Sequence, residues 1–156
     1  MLRIDIPGFR SLSLDHLVLD FNGTLASDGR LINGVGERFG QLAEVLEIHV
    51  VTADTYGGAA RELEGLPCRV AVIPRETQDE AKNAYLLSLG ADRTVAVGNG
   101  RNDRLMLKTA AIGIAVMQSE GTAGAALLAA DLVVTGILPA LDLLSEPKRL
   151  IATLRN

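Results

Sequence analysis

The sequence predicts a doubly wound α/β fold, a mostly parallel sheet with helices on both faces. Three observations predict it. Short apolar runs rich in β-branched residues recur along the chain, and stretches with helical spacing separate them. The runs are apolar at successive positions rather than at alternate ones, as strands covered on both faces must be. Strands that alternate with helices imply right-handed crossovers, and hence strands that run parallel.

The expected strands are 14–19, 47–52, 69–73, 94–97, 112–115 and 132–134. Between the first two, Val35, Phe39, Leu42, Ala43 and Leu46 fall on one face of a helix. A helix is expected at about 56–64. Thr77 and Glu80 match a capping box that opens a helix through Leu89, with Gly90 ending it. Further helices are expected at about 102–109, 122–129 and 137–154, the last broken near Pro147. Residues 1–13 alternate charged and apolar side chains and lack the apolar core of a signal peptide.

A chain of 156 residues with no linker, repeat or low-complexity stretch reads as one domain, 1–156. Hydrophobic residues make up 48% of it, yet aromatics only 3%, so Leu, Val, Ile and Ala must build the core. A net charge of −4 argues against a nucleic-acid partner held by a basic surface. No run approaches the roughly 20 apolar residues of a membrane span. A soluble cytoplasmic protein with no membrane partner is the expectation. The single cysteine, Cys68, reads as a small buried hydrophobe. High apolar content in a small domain also points to a homo-oligomer.

In open α/β sheets ligands bind beyond the carboxyl ends of the strands. Here those ends lead into Asp20-Phe21-Asn22-Gly23-Thr24, Thr52-Ala53-Asp54, Pro74-Arg75 and Gly98-Asn99-Gly100-Arg101-Asn102-Asp103. A carboxylate at Asp20 can attack phosphorus if a cation offsets the repulsion between anions. Gly23 lets the chain bend away and turns backbone N–H groups toward phosphoryl oxygens. Thr52 offers a hydroxyl to the transferring group, and Lys82, early in its helix, a neutralising charge. Asp103, in the first turn after the glycine loop, is placed to hold Mg²⁺ or its water shell.

These segments resemble the motifs of the haloacid-dehalogenase-like phosphohydrolase superfamily. Asp20-Phe21-Asn22-Gly23-Thr24-Leu25 resembles its first motif, Asp-x-Asp-Gly-Thr. Val51-Thr52-Ala53-Asp54 resembles the second motif as P-type cation ATPases carry it, with Ala53 where Gly is usual. Lys82 falls at the third-motif position. Gly98 to Asp103, followed by Ile112-Gly113-Ile114-Ala115, is similar to the fourth motif of the pumps' phosphorylation domain. The resemblance spans about residues 14–135. It implies Asp20 as nucleophile and Asp20, the Asn22 carbonyl, Asn99 and Asp103 around Mg²⁺. It further implies Gly23, Thr52, Ala53 and Lys82 around the phosphoryl group, and a phosphorylated small molecule or phosphoprotein as partner. The intervals between motifs hold one helix and one strand each, which leaves no room for a cap domain.

Two departures stand out. Asn22 replaces the Asp that protonates the leaving group and then activates water in most of the superfamily's phosphatases. An amide does neither, and such help is worth about 10²–10⁴-fold. Asn99 replaces the first metal-binding Asp of the fourth motif and keeps an oxygen while losing a charge. The expected function is therefore an attenuated Mg²⁺-dependent phosphohydrolase. The alternative is a catalytically impaired domain that binds a phosphorylated ligand or partner in a regulatory or scaffolding role. His16 and His49 read as isolated core or edge residues, and Asp54 as a turn residue.

Overall fold

The computed structural model describes residues 1–156. An antiparallel hairpin, β1 (Leu2–Ile6) and β2 (Arg10–Leu14), leads into the central strand β3 (His16–Asp20). A short ribbon, β4 (Ala26–Ser27) with β5 (Arg30–Leu31), precedes α1 (Val35–Leu42). Then come β6 (Glu47–Thr52), α2 (Gly58–Glu62), β7 (Arg69–Val72), α3 (Gln78–Leu89) and β8 (Thr94–Gly98). The chain continues through α4 (Arg104–Thr109), β9 (Ile112–Val116), α5 (Gly124–Ala129) and β10 (Leu132–Val134). It closes with α6 (Ile137–Ser145) and α7 (Pro147–Leu154).

Six strands form one sheet in the order β10-β9-β8-β3-β6-β7, and every neighbouring pair is parallel. After β7 the chain crosses back to the other side of β3. The strand order therefore reverses between β3 and β8, which is where such sheets open a ligand crevice. Alternation along each strand sorts the core into two clusters. Leu17, Leu19, Ile48 and Val50 pack with Phe39 of α1, Leu141 of α6, Leu150 of α7 and the β1–β2 hairpin. Val18 and Val51 face the other way, onto Leu86 of α3, Met106 and Leu107 of α4 and Ala126 of α5. Leu17, Val18 and Leu19 are all fully buried, which explains why β3 reads as a continuous apolar run.

Three expectations need correction. Leu14 belongs to the hairpin rather than to β3, because the chain turns at Asp15. The alternation in residues 1–13 is itself a strand signal, since Ile4, Ile6, Leu12 and Leu14 are buried on one face of β1 and β2. Thr77 stands at the N-cap of α3 but makes no capping hydrogen bond; the Asp79 carboxylate instead accepts from the Glu80 N–H at 2.9 Å. The break at Pro147 and the stop at Gly90 fall as expected, with Pro147 opening α7.

Candidate active site

Asp20, the last residue of β3, lies on the sheet face covered by α3 and is 7% exposed. Its Oδ1 accepts from Lys82 Nζ at 2.6 Å and its Oδ2 from Thr24 Oγ1 at 3.0 Å. Lys82 reaches it from α3 and is itself buried, its Nζ also donating to Asp103 Oδ1 at 2.7 Å. Asp103 has no exposed surface, and its Oδ2 accepts from the N–H groups of Asn99 (3.0 Å) and Gly100 (2.8 Å). A carboxylate–ammonium–carboxylate chain thus runs from the end of β3 to the loop after β8. Burial works against the Lys82 cation, but the two carboxylates outweigh it and hold its pKa above the ordinary lysine value. For Asp103, burial and then the charge of Asp20 push the pKa up to about 6, against the pull of Lys82. The two directions are compatible, because one ammonium cannot fully stabilise two carboxylates.

Glycines make this convergence possible. A Cβ on Gly98 would lie 2.5 Å from Asp103 Cγ, so only glycine lets that carboxylate pass behind β8. Gly23 has φ +80°, and a Cβ there would lie 2.4 Å from Asn99 Nδ2. Its N–H donates to the Ala26 carbonyl at 2.9 Å rather than standing free in the cleft. Gly23 instead brings the first loop against the fourth.

The other expected residues divide between wall and floor. Asn22, Thr52, Ala53 and Asn99 line, with Asp20, a cleft of about 640 Å³. The Thr52 oxygen accepts from the Asp54 N–H at 3.2 Å, which leaves its hydroxyl proton to donate. Asp54 closes the turn into α2, accepting from Tyr56 N–H (2.9 Å) and Ala59 N–H (2.8 Å). Those backbone bonds, Ala59 first, hold its carboxyl below the ordinary value. Lys82 and Asp103 lie beneath the floor. With both oxygens of Asp103 engaged and none exposed, it offers a cation no open face, contrary to its reading as a ligand. Asn99 is 9% exposed; its Oδ1 accepts from Thr24 Oγ1 at 3.1 Å and its Nδ2 donates to the Gly121 carbonyl at 3.0 Å.

Two contributors were not singled out from the sequence. Thr24 is fully buried, and its one hydroxyl proton faces both Asp20 and Asn99. Gln118, after β9, donates from Nε2 to the carbonyls of Gly23 (2.9 Å) and Thr24 (2.6 Å) and pins the loop that follows Asp20. Thr24 stands inside the first motif and was open to notice; Gln118 acts through its side-chain amide on a distant backbone and was not.

No family model matches the chain. Several solved structures share its fold. The 3-deoxy-D-manno-octulosonate 8-phosphate phosphatase of Moraxella catarrhalis, in complex with magnesium, phosphate and sugar, superposes with TM-score 0.66 at 17% identity, over 91% of this chain and 94% of that one. The cobalt-bound Haemophilus influenzae phosphatase of the same name gives 0.71 at 13% identity, over 88% and 90%. A phospho-aspartyl intermediate analogue of phosphoserine phosphatase gives 0.67 at 15%, over 86% and 99%. The fold is that of the haloacid-dehalogenase-like hydrolases, with no cap inserted between the strands. Within it, the chain belongs to the same family as two uncharacterized proteins of Methanocaldococcus jannaschii. MJ0073 is 47% identical over 64 residues, covering 41% of this chain and 69% of that protein. MJ0072 is 49% identical over 39 residues, covering 25% and 89%.

Proposed function

We propose that the chain is a Mg²⁺-dependent phosphohydrolase that works, slowly, through an aspartyl-phosphate at Asp20. The observation that carries this reading is the buried Asp20–Lys82–Asp103 chain opening onto a polar cleft at the switch point of the sheet. Lys82 holds the Asp20 carboxylate in position, and Asp103 with the 99–100 backbone keeps Lys82 in place. An Asp20 oxygen attacks phosphorus, the bond to the leaving oxygen breaks, and that oxygen departs with a proton from water. Water then attacks the phosphorus, the bond to Asp20 breaks, and inorganic phosphate leaves. The Thr52 hydroxyl donates to a phosphoryl oxygen, and the Ala53 backbone borders the same position.

The oxygen donors at the cleft suit a hard divalent cation. Asp20, the Asn22 carbonyl and Asn99 Oδ1 supply one negative charge, and a substrate phosphate supplies the rest. When bound, Mg²⁺ supplies charge neutralisation between carboxylate and phosphate. The relatives of known fold whose names carry a phosphorylated sugar or amino acid make a phosphorylated small molecule the substrate class to try first.

A second reading, a phospholigand-binding domain without turnover, draws on Asn99. Its amide is tied to Thr24 and Gly121 and brings no charge to the metal position. The test is Mg²⁺-dependent phosphate release from a panel of phosphorylated metabolites, together with beryllium fluoride binding. Turnover lost in Asp20→Asn supports the enzyme; residual activity within a few-fold of the parent removes Asp20 from the nucleophile role. Beryllium fluoride binding without turnover on any substrate selects the second reading.

A further inference from the structure

At the opposite end of the sheet, the first residues of β3 and β6 assemble a cluster that the chemistry at Asp20 does not use. His16 pairs in register with Glu47, and His49 follows two positions later on the same face. His16 Nδ1 lies 3.2 Å from His49 Nε2, and Glu47 Oε2 lies 3.8 Å from each. The two histidines, isolated in sequence, are thus neighbours.

We propose that His16, Glu47 and His49 form a binding site for a divalent transition metal of the zinc class. Zinc–nitrogen bonds of about 2.0–2.1 Å place tetrahedral donors about 3.3–3.4 Å apart. The three donor atoms outline such a face already, and the 58% exposed Glu47 side chain has only a few tenths of an ångström to close. Two imidazoles and one carboxylate are borderline donors that suit zinc over magnesium.

The surroundings complete the chemistry. His49 Nδ1 lies 2.9 Å from Tyr85 Oη on α3. With Nδ1–H donated to the phenol, Nε2 keeps its lone pair for a cation, the outer contact that fixes a metal-binding imidazole. Burial, and then the nearby His16, lower the pKa of His49, the direction that favours a ligating imidazole. His16 and Glu47 border a surface cavity of about 380 Å³, which leaves a further coordination position open to water. The Arg69 guanidinium, 3.9 Å from Glu47, is solvated with its side chain 75% exposed, and does not seal the site.

The test uses the full chain, stripped with chelator and dialysed against Zn²⁺ alone, with Co²⁺ as a spectroscopic probe. One Zn²⁺ per chain is expected, retained in Asp20→Asn and weakened at least tenfold in Glu47→Gln and in His16→Gln. Tyr85→Phe should weaken it by about tenfold or more. Bound Co²⁺ should show tetrahedral visible bands that vanish in the same variants. Glu47 is exposed, so its variant folds whatever happens to substitutions at buried His49. Zn²⁺ bound equally by the parent, Glu47→Gln and His16→Gln would overturn the proposal, as would loss of binding in Asp20→Asn or no binding to the folded parent.

Discussion

The two ends of the sheet handle polar side chains in opposite ways, although the same strand and the same helix serve both. At the carboxyl end of β3, Asp20 meets a buried ammonium, which is shared with a second carboxylate that itself accepts from backbone N–H groups. At the amino end, His16 and His49 meet ring to ring, and the one carboxylate beside them, Glu47, stays in water. Helix α3 supplies Lys82 to the first end and Tyr85, one turn later, to the second. The difference teaches where buried charge is tolerated. It persists only where opposite charge and loop N–H groups converge, which the switch point of a parallel sheet provides and its other end does not.

The sharpest way to break that contrast is Lys82→Met. Removing the ammonium leaves Asp20 and Asp103 buried without a counter-charge, and a loss of about 3–5 kcal/mol is expected in urea denaturation. A loss no larger than that of Tyr85→Phe would mean that the two ends differ in appearance only.

Next in size is Asn22→Asp, which restores an acid and base beside the leaving group. Turnover should rise by about one to three powers of ten, or about 1.4–4 kcal/mol of barrier, read at saturating Mg²⁺ and across pH. No rise in a chain that binds Mg²⁺ would favour the phospholigand-binding reading.

A smaller effect concerns pH. The folded state raises Asp103 from 3.8 to about 6, so it holds that proton more tightly than the unfolded chain does. The stability conferred is full below 3.8 and is lost as pH rises through about 6. Asp103→Asn, which carries no titrating proton, should gain on the parent across that window. Urea midpoints of both chains measure it, and a constant difference between them would contradict the shift.

The smallest change is Tyr85→Phe, worth about 1 kcal/mol of stability for one hydrogen bond, with phosphate release untouched. A large fall in turnover would show that the two ends are coupled through α3.

Much of this was legible in the chain. The apolar runs gave the six parallel strands because Val18, Val51 and their neighbours are covered on both sides, and that requirement writes itself into composition. Asp20 and Asn99 were marked out by strand ends and loop chemistry, and Lys82 by its place early in a helix and at the third-motif position. Side-chain direction was not legible: Asp103 turns inward to Lys82, and Gln118 reaches back to the Gly23 and Thr24 carbonyls. The histidine pair needed the β3–β6 register, a property of two segments together that neither carries alone.

The position of β3 also bears on the order in which the chain acquires structure. Val18 pairs with His49 on one side but with Ala96 on the other. During synthesis the first pairing becomes available early, whereas the second must wait until the chain has passed Gly98. Until then one edge of a strand made of Leu17, Val18 and Leu19 stays open, and Asp20 has neither Lys82 nor the Asn99 loop beside it. Long-range pairing of this kind is slow and leaves apolar edges exposed to other chains. Asp20 thus meets Lys82 and the Asn99 loop only after β3 and β6 can already pair, and the nascent chain is most exposed to misassociation before β8 docks.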